Sequence, residues 1–348
     1  MGFASLRKTL SSLPERRSNQ KALTEAVRKG LGGMFLPFER CLELTGADRV
    51  AYLQGLVTND VQALKEGEGC YAASLVPEGR MVSDLRIYAL EDRLLLLVKA
   101  SAEKALLSHL DQYHFMEDVQ VRTLQDRILT VQGPLSRTFL SGLFGGVALS
   151  NQPESHREIP LDGIEIRAFC HSHTGEEGYD LLIPPSKVDT VYRLILEKGK
   201  AAGWAWLDEE TFHRLRIEAG IPFFGVDMTA STIPVEAGLE TSAISYTKGC
   251  YIGQEVIAKI KYIGHANRTL TGFKARGGSL PPDGKVLVDE KEVGWLTSST
   301  FSFHLGCPVA LGYLRREVKK PGESVAILAQ TGTFQAQIQE LPFYRRPS

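Results

Sequence analysis

The chain changes texture at Arg268, and that change limits its architecture more than any other feature. Beyond it no helix-length apolar periodicity appears. The apolar residues fall in short runs, TLTGFKA, KVLVD, EVGWLTSST, CPVALGYLRR, SVAILA and FQAQIQEL, separated by Gly, Pro or Asp-Gly turns. Residues 268–348 therefore predict an all-β module of about 80 residues, a small barrel or sandwich.

The preceding chain mixes strand and helix patterns, as α+β layers do. A strand-like run covers 34–45. Asp48 can cap a helix through QGLVTNDVQAL, with Val50, Leu53, Leu56 and Val57 on one face. The segment GEGCYAASLVPEGRMVSDLRIYALEDRLLLLVKA predicts three strands, with turns at Pro77-Glu78-Gly79 and Glu91-Asp92. In the middle strand, alternation puts Met81, Leu85, Ile87 and Ala89 on one face and Asp84, Arg86 and Tyr88 on the other. Ser101 opens a helix to about Tyr113. Strands follow at 127–133 and 164–170, a loop into a strand at 175–185, a helix at 186–199 stopped by Gly199, and a helix from Asp208 to Ala219.

Composition removes several classes of function. The chain has 348 residues, 43% hydrophobic and 23% charged, and a formal net charge of −1. That balance gives no support for direct nucleic-acid binding. No apolar run reaches membrane-helix length. Five cysteines at long spacings, with no CxxC, argue against a disulfide framework, a structural zinc site and a self-contained iron–sulfur cluster. The histidines lack a metal-binding spacing, even the pair His171 and His173, so no metal site is expected. Residues 1–35 form a basic segment with seven Lys/Arg against two Glu. Within it SNQKALTEAVRKG (18–30) predicts an amphipathic helix capped by Ser18 or Asn19 and stopped by Gly30. The location expected is cytoplasmic, or an organellar matrix if 1–35 is a presequence.

Four segments carry side chains suited to chemistry. Tyr246-Thr247-Lys248-Gly249-Cys250-Tyr251-Ile252-Gly253-Gln254-Glu255 brackets a cysteine with two glycines ahead of a short helical run. Lys248 and a helix N-terminus both favour thiolate at Cys250, although lone cysteines in turns are commonly inert. The face Asp84, Arg86, Tyr88 offers a carboxylate beside an aromatic ring for a heterocycle, or a plain solvent face. In TGEEGYD (174–180) the acids Glu176 and Glu177 can accept from amino groups of a ligand, or decorate a surface turn. Arg216, in RIEAGIP, can pair with a ligand carboxylate or with a neighbouring acid.

Together these segments resemble one superfamily. LRIEAGIPFFGVD, then IPVEAGLE and a Lys-led turn, is similar to the tetrahydrofolate-binding T-protein (aminomethyltransferase) of the glycine cleavage system. TGEEGYDLLIP resembles its folate-contacting loop, and GRMVSDLRIY the strand with its key aspartate. Within that superfamily, the complete string Lys248-Gly249-Cys250-Tyr251-Ile252-Gly253-Gln254-Glu255 resembles the signature of the YgfZ family. LQGLVTNDV, VGWLTSSTFS, VALGYLRR and ELPF add to the likeness. Two departures stand out. Ala258-Lys259 replaces the Ala-Arg of many YgfZ-like proteins, and Asp84 with Glu176 and Glu177 is T-protein-like.

The resemblance implies a three-domain ring around a central folate channel, with 36–267 as two interwoven α+β domains and 268–348 as the barrel. It implies tetrahydrofolate as cofactor, bound near Asp84, Tyr88, Glu176, Arg216 and Tyr251, with Cys250 and Lys248 at the channel mouth and Cys250, Lys248 and Asp84 as working residues. The function implied first is support of assembly or repair of iron–sulfur enzymes such as radical-SAM tRNA methylthiolases, with those enzymes or assembly proteins as partners. The alternative is a T-protein-like aminomethyltransferase or folate-dependent demethylase.

Overall fold

The computed structural model describes residues 14–161, 164–318 and 320–346. The first part of the basic segment, and with it most of the presequence question, lies outside the described residues. The helix Pro14–Lys29 begins ahead of Ser18 and Asn19, so neither caps it, and Gly30 closes it with its N–H on Ala26 O at 2.8 Å. Its Val27 is fully buried in the core between the two sheets, which builds this helix into the body of the protein.

Strands β1 (Gly32–Phe35), β2 (Glu39–Thr45), β3 (Gly69–Leu75), β4 (Met81–Ala89), β5 (Leu94–Lys99), β6 (Gln120–Thr123), β7 (Arg127–Gln132), β8 (His156–Leu161), β9 (Ile164–Cys170), β10 (Gly178–Ile183) and β11 (Ala205–Trp206) form two sheets. The six-stranded sheet has the order β11-β1-β7-β10-β9-β8, and the five-stranded sheet the order β3-β4-β5-β2-β6. Met34, Ile128, Phe169 and Leu182 of the first sheet meet Cys41, Tyr88, Leu95 and Leu97 of the second in one apolar core. The opposite faces are covered by helices: Val191 and Ile195 of the helix Val188–Ala202 on the first sheet, Leu106 and Leu110 of the helix Ala100–Gln112 on the second. Burying both faces of each sheet in this way is the favourable hydrophobic term that holds the two layers together.

Strands β12 (Arg268–Ala275), β13 (Lys285–Val288), β14 (Lys291–Ser302), β15 (Cys307–Arg315), β16 (Ser324–Ala329) and β17 (Gly332–Gln339) close into a barrel, so the six runs are six strands and the sandwich alternative falls away. Phe273, Leu296, Leu314 and Ile327 fill it. Its outer wall takes Ile217 from the helix Glu209–Glu218 against Leu270, Val309 and Leu311, which docks the barrel on the α+β body. Asp208 caps that helix, its carboxylate accepting from Thr211 N–H at 2.7 Å. Among the described residues no helix is long and apolar enough to cross a membrane.

Two further helix expectations need correction. The helix at Asp48 runs only over Arg49–Gln54, and Asp48 does not cap it; its carboxylate accepts from Asp118 N–H at 2.8 Å. The chain leaves the helical path at Gly55 because Val57 joins Ser74 in a β-bridge and the carbonyls of Gln54, Val57 and Asn59 turn to one lysine ammonium. The helix at 186–199 continues to Ala202 and stops at Gly203, at φ 73°. Gly199 stays inside it, where a Cβ would lie 2.8 Å from Trp204 Cβ, so its role is close packing rather than termination.

Candidate functional site

Where the two sheets and the barrel converge lies a cavity of about 580 Å³. Its polar floor comes from Asp84 and Arg86 on β4, Lys99 at the end of β5, Glu154, and His171 with His173. Its apolar walls come from Phe212, Phe223, Leu239, Leu270 and Leu341. A mostly apolar cleft of this size with a few convergent polar groups is the usual form of a small-molecule site.

The alternation of β4 puts the Asp84 face here rather than in solvent, because the second sheet packs that face against the first. Asp84 is 7% exposed. Its Oδ2 accepts from Tyr71 OH at 2.8 Å, while Oδ1 is buried without a partner. Burial, reinforced by the Asp84 charge, pushes the Tyr71 hydroxyl well above its ordinary value and keeps it a donor. A buried carboxylate oxygen without a donor is costly, which marks it as a place for a ligand N–H.

Beside it, Arg86 Nη1 donates to Glu154 Oε1 at 3.0 Å and its guanidinium lies over the Tyr71 ring at 4.3 Å. Tyr88 is fully buried and does not line the cavity; its hydroxyl donates to Glu154 Oε2 at 3.0 Å, so it braces the floor from below. Glu154 adopts φ +60°, a strained choice for a residue with a side chain, and the strain delivers its carboxylate to these partners.

Arg216 lines the cavity, but its guanidinium is already engaged. It forms an ion pair with Asp227 and donates to Ser298 Oγ at 2.7 Å, tying helix, loop and barrel together. Glu176 sits elsewhere. It pairs with Arg28 at 3.3 Å and lines a second cavity of about 570 Å³, together with Glu177, Arg137 and Arg346. His171 borders both cavities.

The cysteine segment is mostly architecture. Lys248 is 8% exposed and its ammonium donates to Gln54 O and Val57 O at 2.6 Å and to Asn59 O at 2.9 Å. Burial pulls its pKa down to about 8. Tyr251 is buried with Leu75, Met81 and Ile257, and like Lys248 it does not reach the cavity. Gly253 takes φ +82° where a Cβ would lie 2.7 Å from Val76 O, so only glycine fits. The helix Gln254–Tyr262 follows directly, with Glu255 exposed and paired to Lys259 at 2.6 Å. Gly249 and Cys250 alone face outward in the stretch from Lys248 to Gly253, and Cys250 is not among the cavity-lining residues. Lys248 is thus an anchor for the loop that presents the thiol, with its own charge turned inward.

Glu154, Tyr71 and Lys99 carry no local sequence signal. Glu154 lies in the turn-rich segment before β8, and only tertiary pairing brings it to Arg86. Asp180 sits on β10, where burial would raise its carboxyl but His173, at 2.8 Å, draws it below the usual carboxylate range.

The sequence matches two family descriptions, "GCVT N-terminal domain" over residues 15–248 and "Glycine cleavage T-protein C-terminal barrel domain" over residues 268–345. A protein named aminomethyltransferase from Bacillus subtilis (strain 168) is 30% identical over 339 residues, covering 96% of this chain and 93% of that one. Another of that name, from Halothermothrix orenii, is 30% identical over 322 residues, covering 92% and 90%. The crystal structure of glycine cleavage system aminomethyltransferase T from Bartonella henselae superposes with a TM-score of 0.85 at 22% identity, covering 94% of this chain and 90% of that one, a likeness of fold.

Proposed function

The chain belongs to the glycine cleavage T-protein family, and from that premise we propose that it is a tetrahydrofolate-dependent one-carbon transfer protein of the aminomethyltransferase type. The observation that carries this reading is Asp84, a buried carboxylate with one unpartnered oxygen on the floor of the central cavity. The cavity fits the cofactor: apolar walls suit the faces of a reduced pterin, and the free Asp84 oxygen suits a ring N–H at its edge. Bound tetrahydrofolate supplies the nitrogens that accept the one-carbon unit. The chain's own part is to orient and to exclude water. Tyr71 fixes the Asp84 carboxylate, Glu154 fixes Arg86, and Phe212, Phe223 and Leu341 close the walls.

This places one-carbon transfer ahead of iron–sulfur support, reversing the order implied by the YgfZ-like string. The full-length relatives are named aminomethyltransferase, and the cysteine that marks the string stands outside the cavity. The test is direct. Tetrahydrofolate should bind the wild-type protein and bind Asp84→Asn at least about tenfold more weakly. Methylene-tetrahydrofolate should form from an aminomethyl-lipoyl carrier or an N-methyl donor. Tight folate binding without turnover on either donor would sink the transfer reading.

One observation favours a second reading, a YgfZ-type factor for iron–sulfur enzymes. The segment Lys248–Gly253 spends its other side chains on holding the loop and leaves Cys250 exposed. A thiol so placed suits a partner protein, which would have to supply any further cluster ligands. In cells lacking the protein, Cys250→Ala should then fail to restore tRNA methylthiolation while folate binding persists.

A further inference from the structure

His171 and His173 follow β9, Asp180 lies on β10, and the β9–β10 pairing sets Asp180 opposite Phe169, so all three fall on one face of the hairpin. One ligand atom from each lies within 4.8 Å of the others. The spacing rules that exclude a metal site along the sequence are mostly helical or loop-based, and here a hairpin does the gathering. We propose that His171, His173 and Asp180 form a site for a divalent transition-metal ion of the zinc class on the wall of the central cavity. The proposal stands independently of the bound cofactor and of the reaction.

The donor set suits such an ion: two imidazoles and a carboxylate, with an open position toward the cavity, is the pattern of zinc sites that keep one coordination place free. Local charge also favours a cation. Arg86 is matched by Glu154 and Lys99 by Glu39, whereas among the described residues no Lys or Arg side chain pairs with Asp84 or Asp180. Among the basic side chains of the described residues Asp180 is paired with the His173 imidazole alone, a place that a divalent ion can take.

The surroundings hold the ligands in place. Gln132 Nε2 donates to His171 O at 3.1 Å and its Oε1 accepts from His173 N–H at 2.9 Å. Glu154 Oε1 lies 3.6 Å from His171 Nδ1, the kind of neighbouring carboxylate that fixes a ligating ring. His173 and Asp180 also wall a chamber of about 20 Å³, room for one water as a further ligand. Binding breaks the His173–Asp180 hydrogen bond, and the ion takes the place of its proton between the two side chains.

Cobalt(II) is the probe, titrated into chelator-treated full-length protein without folate. The expected result is one ion per chain with a visible d–d band, displaced by zinc. His171→Ala and His173→Ala should each weaken binding by at least about tenfold. Asp180→Asn, which preserves the shape of the site, should do the same and carries the test if an alanine variant does not fold. No stoichiometric band, a near-ultraviolet thiolate band placing cobalt on a cysteine, or unchanged affinity in the folded variants would each overturn the assignment.

Discussion

His156 joins the two sheets through a ring that must stay neutral. Its Nε2 lies 2.9 Å from Ala89 O, on β4, and its Nδ1 accepts from Arg167 Nη1, on β9, at 2.8 Å. A second ring proton would face the Arg167 guanidinium. Burial lowers the His156 pKa from 6.5 to about 4; the Ala89 carbonyl opposes that shift and the Arg167 charge adds to it. The folded pKa lies below the unfolded one, so as pH falls the unfolded chain binds the proton first. The stabilising contribution is therefore complete above about pH 6.5 and is lost as pH falls toward 4. Linkage over that shift amounts to about 3 kcal/mol in full, and to about 2 kcal/mol between pH 7.5 and pH 5. His156→Gln keeps one donor and one acceptor but cannot titrate. Urea unfolding at the two pH values should show wild type losing about 2 kcal/mol more than the variant. Other acid-sensitive groups, such as His213, cancel in that difference. Equal losses within about 0.5 kcal/mol would refute the claim that the fold holds this ring neutral.

Four further outcomes are expected. Lys248→Met should cost about 3 kcal/mol by leaving two buried carbonyls and one half-buried carbonyl without their donor, measured as a lowered midpoint of unfolding. Gly253→Ala should destabilise by about 1–3 kcal/mol, because of its positive φ and the 2.7 Å approach to Val76 O. Gly249→Ala, with no atom within 4 Å of the added Cβ, should stay within about 0.5 kcal/mol in the same assay. Iodoacetamide should label Cys250 first under native conditions, since Cys41, Cys170 and Cys307 are buried and burial pushes the Cys70 thiol up to about 12; peptide mapping reads the order.

The architecture was legible wherever one local rule decided it. Six short runs became six barrel strands, Asp208 capped its helix, and alternation along β4 separated Asp84 from Leu85. What sequence alone could not resolve needed partners distant in the chain. The helix at Asp48 stops early because Lys248, far downstream, claims three of the carbonyls. Asp84 faces a cavity and not solvent because another sheet covers it, which alternation cannot tell. Arg216 left two readings open, a ligand carboxylate or a neighbouring acid, and only the fold shows its guanidinium on Asp227 and Ser298. His171 and His173 were visible as a pair, yet Asp180 joins them only through strand register.

The order of strands has a consequence for how the chain assembles. The five-stranded sheet is continuous in sequence, from β2 to β6, and it interrupts the other sheet between β1 and β7. Pairing β1 with β7 from an unfolded chain means closing a loop of roughly 90 residues, an entropic penalty of about 4 kcal/mol. Once β2 and β6 have paired, the same closure spans only the few residues on either side, and about half of that penalty is gone. Within the inserted sheet β3, β4 and β5 pair as short-range hairpins, whereas β2 reaches β5 and β6 only by long-range pairing, so the completed sheet is what delivers β1 and β7 to each other. Perturbations within it should slow the closing of the six-stranded sheet, whereas those on β8 or β9 should mainly quicken its opening.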